Sequence, residues 1–244
     1  MTIKLNEVVV DRGQRLAAIN AELRQRNLKE LPKLGDVSKG EIEITGIKGI
    51  FDHSKNFFTD VKFAILFPTG QPGEFTVRFN ANSLTSDGVV LVVLVNGRFA
   101  IVKQWRLPLG RWTYEVPRGF GESVDSAKIQ GALGHLKIAD LPLGTLVREL
   151  GEEVVRGGDI TSITHLGNTA ESSGTNAHTP ANFLVQVTVD EDALQRRQKE
   201  KEGETRLELW DLKRVRLEIG GRICDNHSLA ALALALKYIE DLPR

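Results

Sequence analysis

The sequence is short of the residues that mark several specialised classes of protein. It has one cysteine, Cys224, among 244 residues, which excludes an intramolecular disulfide and a zinc site with several cysteine ligands. Its 32 basic and 32 acidic residues cancel, so no overall positive charge would attract nucleic acid. The first residues are charged where a signal peptide would be apolar, and the longest apolar runs, at 89–95 and 229–236, are too short to span a bilayer. We therefore expect a cytoplasmic protein that binds neither nucleic acid nor membrane.

The first third of the chain predicts an accessory region beside the main fold. Residues 11–30 combine apolar and charged side chains at helical spacing, and this helix should end before Pro32. Short apolar segments between glycine, proline and aspartate predict strands, at 41–44, 61–67 and 75–79. The polar stretch 80–87 marks a boundary. We expect an N-terminal accessory region at 1–85 and a main domain at 86–244.

A β-hairpin opens the main domain. Residues 89–95 and 98–104 form two strand-like runs joined by Asn96-Gly97, a pair that tolerates the positive φ angles of a two-residue turn. The first run is apolar on both faces, which predicts a central strand covered on both sides. Further elements follow: strands at 112–116, 182–189 and 205–210, and helices at 143–155 and 228–240, the last capped by Asp225 or Ser228. This order predicts an α/β or α+β sandwich around a mixed sheet.

The acidic run at 148–153 carries the clearest chemical signal. On an α-helix, Glu149, Glu152 and Glu153 fall on one face, where three ionised carboxylates repel one another. A divalent cation such as Mg²⁺ would relieve that repulsion, because it prefers oxygen ligands. The alternative is a solvated acidic face on which Arg148 pairs with Glu152. The residues on either side decide between these readings.

Loop, helix and acidic run together resemble the signature of the Nudix hydrolases. The second half of that signature matches Arg-Glu-Leu-Gly-Glu-Glu at 148–153, and the first half resembles Glu-Val-Pro-Arg-Gly-Phe-Gly-Glu at 115–122. The segments at 87–90, 102–110 and 221–226 are similar to the ADP-ribose pyrophosphatase branch of that family. The resemblance runs from about residue 86 to the end of the chain. It implies a Nudix-type α/β/α sandwich, preceded by the N-terminal helix and strands.

The sequence departs from the signature in two places. Gly119 and Arg148 lie farther apart than the signature allows, and we interpret residues 125–141 as an insertion between its loop and its helix. Such an insertion costs little chain entropy. The register can also be set on Gly134 and Asp140, but that choice loses the match at 115–122. The second departure is Val155, which stands where the signature has glycine.

The resemblance assigns roles to the residues of the signature. It implies that Glu149 and Glu153 are the principal ligands of Mg²⁺, with Mn²⁺ as an alternative, and that Glu152 is the third ligand. The carbonyl of Gly119 would complete the metal shell. Arg148 would support catalysis by orienting the loop through a salt bridge, and Glu152 would also belong to the catalytic group.

A catalytic base is expected outside the signature. The resemblance places an acid of this kind at Glu202 or Glu204, although residues 190–204 also fit a solvated charge run. Glu171 is a second candidate base and lies with the residues that would contact substrate. His178 follows in the same loop and would contact phosphate, but a lone loop histidine is more often solvated.

Side chains before the signature are candidates for binding the substrate. Arg106 and Arg111 would pair with phosphate, as arginine does through two parallel hydrogen bonds. Trp105 or Trp112 would stack on a base, although tryptophan beside a strand is more often packing material.

These assignments predict an Mg²⁺-dependent pyrophosphohydrolase. Its substrate would be a nucleoside diphosphate linked to a sugar, of the ADP-ribose or ADP-sugar type, and its products a nucleoside monophosphate and a sugar phosphate. One alternative is a related enzyme with another diphosphate substrate. The other is a Nudix-fold module that binds a nucleotide or a protein without catalysis. The resemblance also implies a homodimer built through the N-terminal region.

Overall fold

The protein is described here by a computed structural model, which covers residues 11–53, 57–81, 83–84, 87–119, 143–154, 159–200 and 205–241. The chain forms two compact units. The smaller unit holds the chain up to Asp87 together with Ser172–His178, and the larger unit holds Gly88–Glu171 and Thr179–Arg244. Among the described residues, no helix combines the length and hydrophobicity that crossing a membrane requires.

The smaller unit packs one helix on a three-stranded antiparallel sheet. Its elements are α1 Arg12–Arg24, β1 Glu43–His53, β2 Phe58–Leu66 and β3 Pro72–Asn80, with β2 in the centre. Alternate residues of β2 are buried, and they meet Ile19 and Leu23 of α1 in one core. The predicted helix and strands are confirmed in type. The helix ends before residue 30 because the chain turns there, with Asn27 at φ 55°.

The larger unit is built on a seven-stranded mixed sheet. Its strands are β4 Val89–Val95, β5 Arg98–Arg106, β6 Arg111–Glu115, β7 Arg118–Gly119, β8 Asp159–Asn168, β9 Ala181–Thr188 and β10 Thr205–Trp210. The main order is β10-β5-β4-β9-β8, while β6 pairs with β5 and β7 pairs with β4. Strands β4 and β9 are parallel, and the other pairs are antiparallel.

The predicted hairpin is confirmed, and it explains where the short strand β7 lies. Asn96 and Gly97 adopt φ angles of 49° and 78° at the turn between β4 and β5. At its other end, β4 pairs with β7 through Val89 and Val90. The amide of Leu91 also donates to the carbonyl of Pro117 at 2.8 Å. The segment that leads out of β6 is therefore fixed to the central strand of the sheet.

Helices cover both faces of this sheet. They are α2 Leu143–Glu149, α3 Glu191–Glu200, α4 Leu212–Glu218 and α5 Asn226–Glu240. One face of β4 packs against Leu146 and Leu194 of α2 and α3, and the other packs against Val215 and Leu232 of α4 and α5. The α/β/α sandwich around a mixed sheet confirms the predicted fold class, with β4 as its covered central strand.

The helix of the acidic run differs from the prediction. A single α-helix over 143–155 is wrong, because α2 ends at Glu149 and Leu150–Val154 forms a π-helix. The wider π turn keeps Leu150 and Val154 in the core. It leaves Glu149 buried, Glu153 half-buried and Glu152 exposed.

Two helices went unrecognised in the sequence. Helix α3 lies inside the charged run that begins at residue 190, and it is anchored by the buried Leu194. Helix α4 begins after Asp211, whose side chain accepts a hydrogen bond from the Arg214 amide at 2.7 Å. Asp225 caps α5 by accepting from the Ser228 amide at 3.0 Å, as one of the two predicted caps.

Candidate active site

Glu149 is a buried carboxylate at the end of α2. Its side chain is 7% exposed, and its Oε1 lies 2.5 Å from a guanidinium nitrogen of Arg148. The pKa of Glu149 is raised to about 7, mainly by burial; the charges of Glu153 and Glu152 contribute to the rise, and Arg148 opposes it. The repulsion among carboxylates that the sequence predicted therefore acts on Glu149, and burial of this side chain adds to its cost.

Glu152 and Glu153 lie in the π-helix that follows. Arg148 also pairs with Glu152, between Nη1 and Oε2 at 2.8 Å, and Glu152 is half exposed. Glu153 accepts a hydrogen bond on Oε2 from the backbone amide of Arg118 at 3.1 Å. The Arg148–Glu152 pair expected on a solvated face is thus present, but the same arginine also contacts the buried Glu149.

Gly119 lies directly against the Glu149 carboxylate. A Cβ atom built on Gly119 would lie 1.6 Å from Glu149 Oε1 and 2.0 Å from its Cδ. Only glycine allows this approach, since no side-chain carbon is tolerated at such distances. The structure therefore brings Gly119, Glu149 and Glu153 together at the junction of β7 and α2.

This arrangement suits a hard divalent cation. Carboxylates and backbone carbonyls are the ligands that Mg²⁺ and Mn²⁺ prefer, and three glutamates lie within one short helical stretch here. Burial is the main cause of the raised pKa of Glu149, and the neighbouring glutamates add to it. The carboxylate oxygens of Glu149, Glu152 and Glu153 are donors of the kind that such a cation takes.

A second buried acid, Glu115, went unrecognised in the sequence. It ends β6 with a side chain 3% exposed, and it forms salt bridges to Arg106 and Arg118. Thr113 donates to it at 2.6 Å. Burial alone would raise the pKa of Glu115, but the hydrogen bond from Arg106 and the charge of Arg118 bring it below its ordinary value. The feature of the sequence that could have pointed to Glu115 is an acidic residue at an inward-facing position of a predicted strand.

The candidate substrate-binding residues fall in different environments. Arg106 is committed to Glu115, to which it donates through two nitrogens. Arg111 is exposed, and its Nη2 lies 3.2 Å from Cys224 Sγ. Trp105 is 45% exposed and meets Trp112 edge to face, with ring centroids 5.8 Å apart. Arg111 and the two tryptophans are therefore open to solvent, whereas Arg106 is half-buried.

The outer acids and the loop histidine lie outside the acidic helix. Glu171 lies beside the start of α5, with its Oε2 3.8 Å from His227 Nε2 and its carbonyl 3.4 Å from Asn226 Nδ2. His178 is buried and belongs to the smaller unit. Glu202, Glu204, the insertion at 125–141 and Val155 lie outside the described residues.

Comparisons with known proteins bear on the fold. A scan against models of protein families finds no match to the chain, and a search of curated proteins finds none either. Among solved structures, the chain is similar to one described as the crystal structure of an ADP compounds hydrolase. The two share 13% sequence identity with a TM-score of 0.53, over 80% of this chain and 93% of the other. A likeness at this identity establishes the fold.

Proposed function

We propose that the protein is a metal-dependent pyrophosphohydrolase that cleaves a nucleoside diphosphate linked to a sugar. The observation that carries the proposal is the meeting of Gly119 with Glu149 and of the Arg118 amide with Glu153. Acidic residues on a merely solvated helix face would not need contacts with a strand that is distant in the sequence. The fold likeness to a protein described as an ADP compounds hydrolase is consistent with this class of substrate, and the sequence resemblance adds ADP-ribose as its type.

The residues of the site divide the work of hydrolysis. Glu149, Glu153 and Glu152 would hold Mg²⁺ or Mn²⁺, with the Gly119 carbonyl as a further ligand. When bound, such a cation acidifies water and neutralises charge on the diphosphate. Arg148 holds Glu149 and Glu152 in place through its two ion pairs. Water adds to one phosphorus atom as the bridging P–O bond breaks, which yields a nucleoside monophosphate and a sugar phosphate.

The base that accepts the proton of water would be an acid outside this helix. Glu202 and Glu204 are our candidates from the sequence. Glu171 is a further candidate, because it lies beside the start of α5. Asp225, the cap of the same helix, contacts Arg118, whose amide donates to Glu153. Glu171 is therefore within a short chain of contacts of the proposed metal ligands.

Exposed side chains on β5 and β6 would receive the rest of the substrate. Trp105 presents a solvent-exposed ring on which a base can stack. Arg111 is exposed, and its hydrogen-bond acceptor among the described residues is a weak one, the sulfur of Cys224. We propose that Arg111 pairs with phosphate. Arg106 pairs with Glu115, so its effect on substrate binding would be indirect. It would act mainly by keeping the Glu115 carboxylate ionised.

The proposal is tested by offering the protein a panel of nucleoside diphosphate sugars with Mg²⁺ and separating the products by chromatography. We expect AMP and ribose 5-phosphate from ADP-ribose, and no free inorganic phosphate. If the protein binds nucleotide but turns over no compound of the panel, it is a nucleotide-binding module and not an enzyme. Absence of both binding and turnover would leave a module that binds a protein partner.

A further inference from the structure

Arg118 makes three kinds of contact, although no role was predicted for it from the sequence. It lies in the two-residue strand β7, where it pairs with Val90 of the central strand β4. The residue before it, Pro117, has no amide hydrogen, and the residue after it, Gly119, has no side chain. Arg118 is thus the residue of this turn that has both an amide hydrogen and a charged side chain.

The Arg118 guanidinium bridges two shielded carboxylates. Its Nη2 lies 3.0 Å from Glu115 Oε2, and its Nη1 lies 2.9 Å from Asp225 Oδ1. The side chains of these acids are 3% and 15% exposed. Arginine suits such a bridge because its nitrogens form a rigid fork. The guanidinium is therefore fixed at both ends by groups that are screened from solvent.

Asp225 links this bridge to the last helix. It caps α5 through the Ser228 amide, and Ser228 in turn accepts from the Val116 amide at 2.9 Å. Among the described residues, Asp225 Oδ2 is buried without a hydrogen-bond partner, so Arg118 supplies the main neutralising charge for this carboxylate. The start of α5 is thereby tied at two points to the segment 116–118, which leads into β7.

The backbone of Arg118 carries this restraint to the acidic helix. Its amide donates to Glu153 Oε2 at 3.1 Å, while Gly119 meets Glu149 directly afterwards. A shift of β7 would move both contacts together. We propose that Arg118 is a positioning residue, which holds Glu153 and Glu149 in the geometry that binds the cation. This inference rests on the proposed function, since it takes these glutamates as metal ligands.

Electrostatics and positioning predict opposite effects when the Arg118 charge is removed. Loss of the Arg118 charge makes the surroundings of the site more negative, and charge alone would then tighten cation binding. Loss of a restraint on the ligands would weaken it, and residues that orient metal ligands typically contribute about 10- to 100-fold in affinity. The sign of the change therefore separates the two roles.

The test measures the affinity of the full-length protein for Mn²⁺ by electron paramagnetic resonance of the free ion. We expect Arg118→Met to weaken Mn²⁺ binding by about 10-fold, and Arg118→Lys to restore part of it. Arg98→Met is the matched control, because Arg98 forms an exposed pair with Glu191 in the same unit. It removes the same charge and should change the affinity less than two-fold, which is an order-of-magnitude bound.

Asp225→Asn keeps the test valid if Arg118→Met does not fold. Asparagine caps helices as well as aspartate does, so this variant removes one anchor of Arg118 and retains α5. We expect it to weaken Mn²⁺ binding while the apo protein stays folded with α5 intact, as far-ultraviolet circular dichroism would show. Unchanged or tighter binding in folded Arg118→Met or Asp225→Asn overturns the positioning role alone. A wild-type protein that binds no Mn²⁺ overturns the proposed function as well.

Discussion

Glu149 combines burial with the charges of two neighbouring glutamates, and its pKa of about 7 reflects both. In the unfolded chain the same group has an ordinary pKa near 4.5. The folded protein therefore binds more protons between these values, and its stability falls as the pH rises through that window. Above pH 7 the full electrostatic cost is present, and below the unfolded value it disappears.

The variant Glu149→Gln should remove this cost. In the presence of a chelator, we expect the variant to be more stable than wild type at pH 8. Its advantage in free energy of unfolding should be about 2 kcal/mol larger at pH 8 than at pH 5, from about 1.4 kcal/mol per pKa unit. Chemical denaturation at the two pH values measures the difference. A relative stability that is the same at both pH values would show that Glu149 ionises normally.

Glu115 is buried beside Arg106 and Arg118, and its pKa is lowered. Because the folded form holds the charged state more firmly, the acid stabilises the protein above its unfolded pKa and loses that effect as the pH falls. We expect Glu115→Ala to destabilise the protein by about 3 kcal/mol at pH 7, since it leaves partly buried arginines uncompensated.

The exposed Glu191, which pairs with Arg98, provides the comparison for Glu115. Glu191→Ala should cost less than about 1 kcal/mol, as surface pairs do. Denaturant titration of both variants decides the matter. Equal losses would mean that the Glu115 cluster is no stronger than an ordinary surface pair.

At the scale of elements, β7 and α2 approach each other closely where Gly119 meets the side chain of Glu149. Gly119→Ala would place a carbon within 1.6 Å of the Glu149 carboxylate, so β7 or Glu149 must move. We expect this variant to weaken Mn²⁺ binding by about 10-fold or more, as loss of ligand orientation does. Titration calorimetry measures the affinity.

Gly46 in β1 is the matched control for Gly119. Nothing lies within 4 Å of a Cβ built there, so Gly46→Ala should bind Mn²⁺ as wild type does. If Gly119→Ala binds as tightly as Gly46→Ala, the close approach of Gly119 has no part in the metal site.

The elements also show which parts of the fold follow from local sequence. Asn96-Gly97 adopts the positive φ angles of the predicted turn, because the turn chemistry of this pair is local. The core strand β4 follows from its unbroken apolar run. The π-helix at Leu150–Val154 does not, because its contacts, such as that of Glu153 with the Arg118 amide, are with residues that lie far away in the sequence.

The site was predictable to the same extent. The spacing of Glu149, Glu152 and Glu153 left a cation site and a solvated acidic face both open, and the family resemblance of the residues around them favoured the cation site. The cluster of Arg106, Glu115, Arg118 and Asp225 was not visible, because its members come from three separate segments that only the tertiary fold brings together. Charge composition also hid α3, in which Leu194 is the buried residue among 191–196.

At the scale of the whole molecule, the smaller unit presents several phenylalanines to solvent. Phe51, Phe57, Phe67 and Phe75 are 38% to 66% exposed, and aromatic surfaces of this kind are enriched at protein interfaces. The resemblance predicts a homodimer built through this unit, and we propose these exposed rings, which lie on both faces of the sheet, as candidates for its interface. Light scattering at micromolar concentration should give about twice the chain mass of 27.0 kDa.

Substitution separates this interface from general surface hydrophobicity. The double variant Phe51→Ser, Phe67→Ser should shift the mass toward that of a single chain. Leu217→Ser should leave the dimer intact, although Leu217 is 78% exposed on the larger unit. A wild-type protein with the mass of one chain would contradict the dimer.

The most direct test of the central claim is the rate of AMP formation from ADP-ribose, measured with and without Mg²⁺ for three proteins. Wild type and Glu191→Gln should show the same Mg²⁺-dependent turnover, because Glu191 lies on α3 in an exposed pair. Glu153→Gln should lose turnover by about 100-fold or more, since it removes a charged ligand from the cation. Turnover by Glu153→Gln equal to that of Glu191→Gln, or wild-type turnover that does not depend on Mg²⁺, would contradict the account.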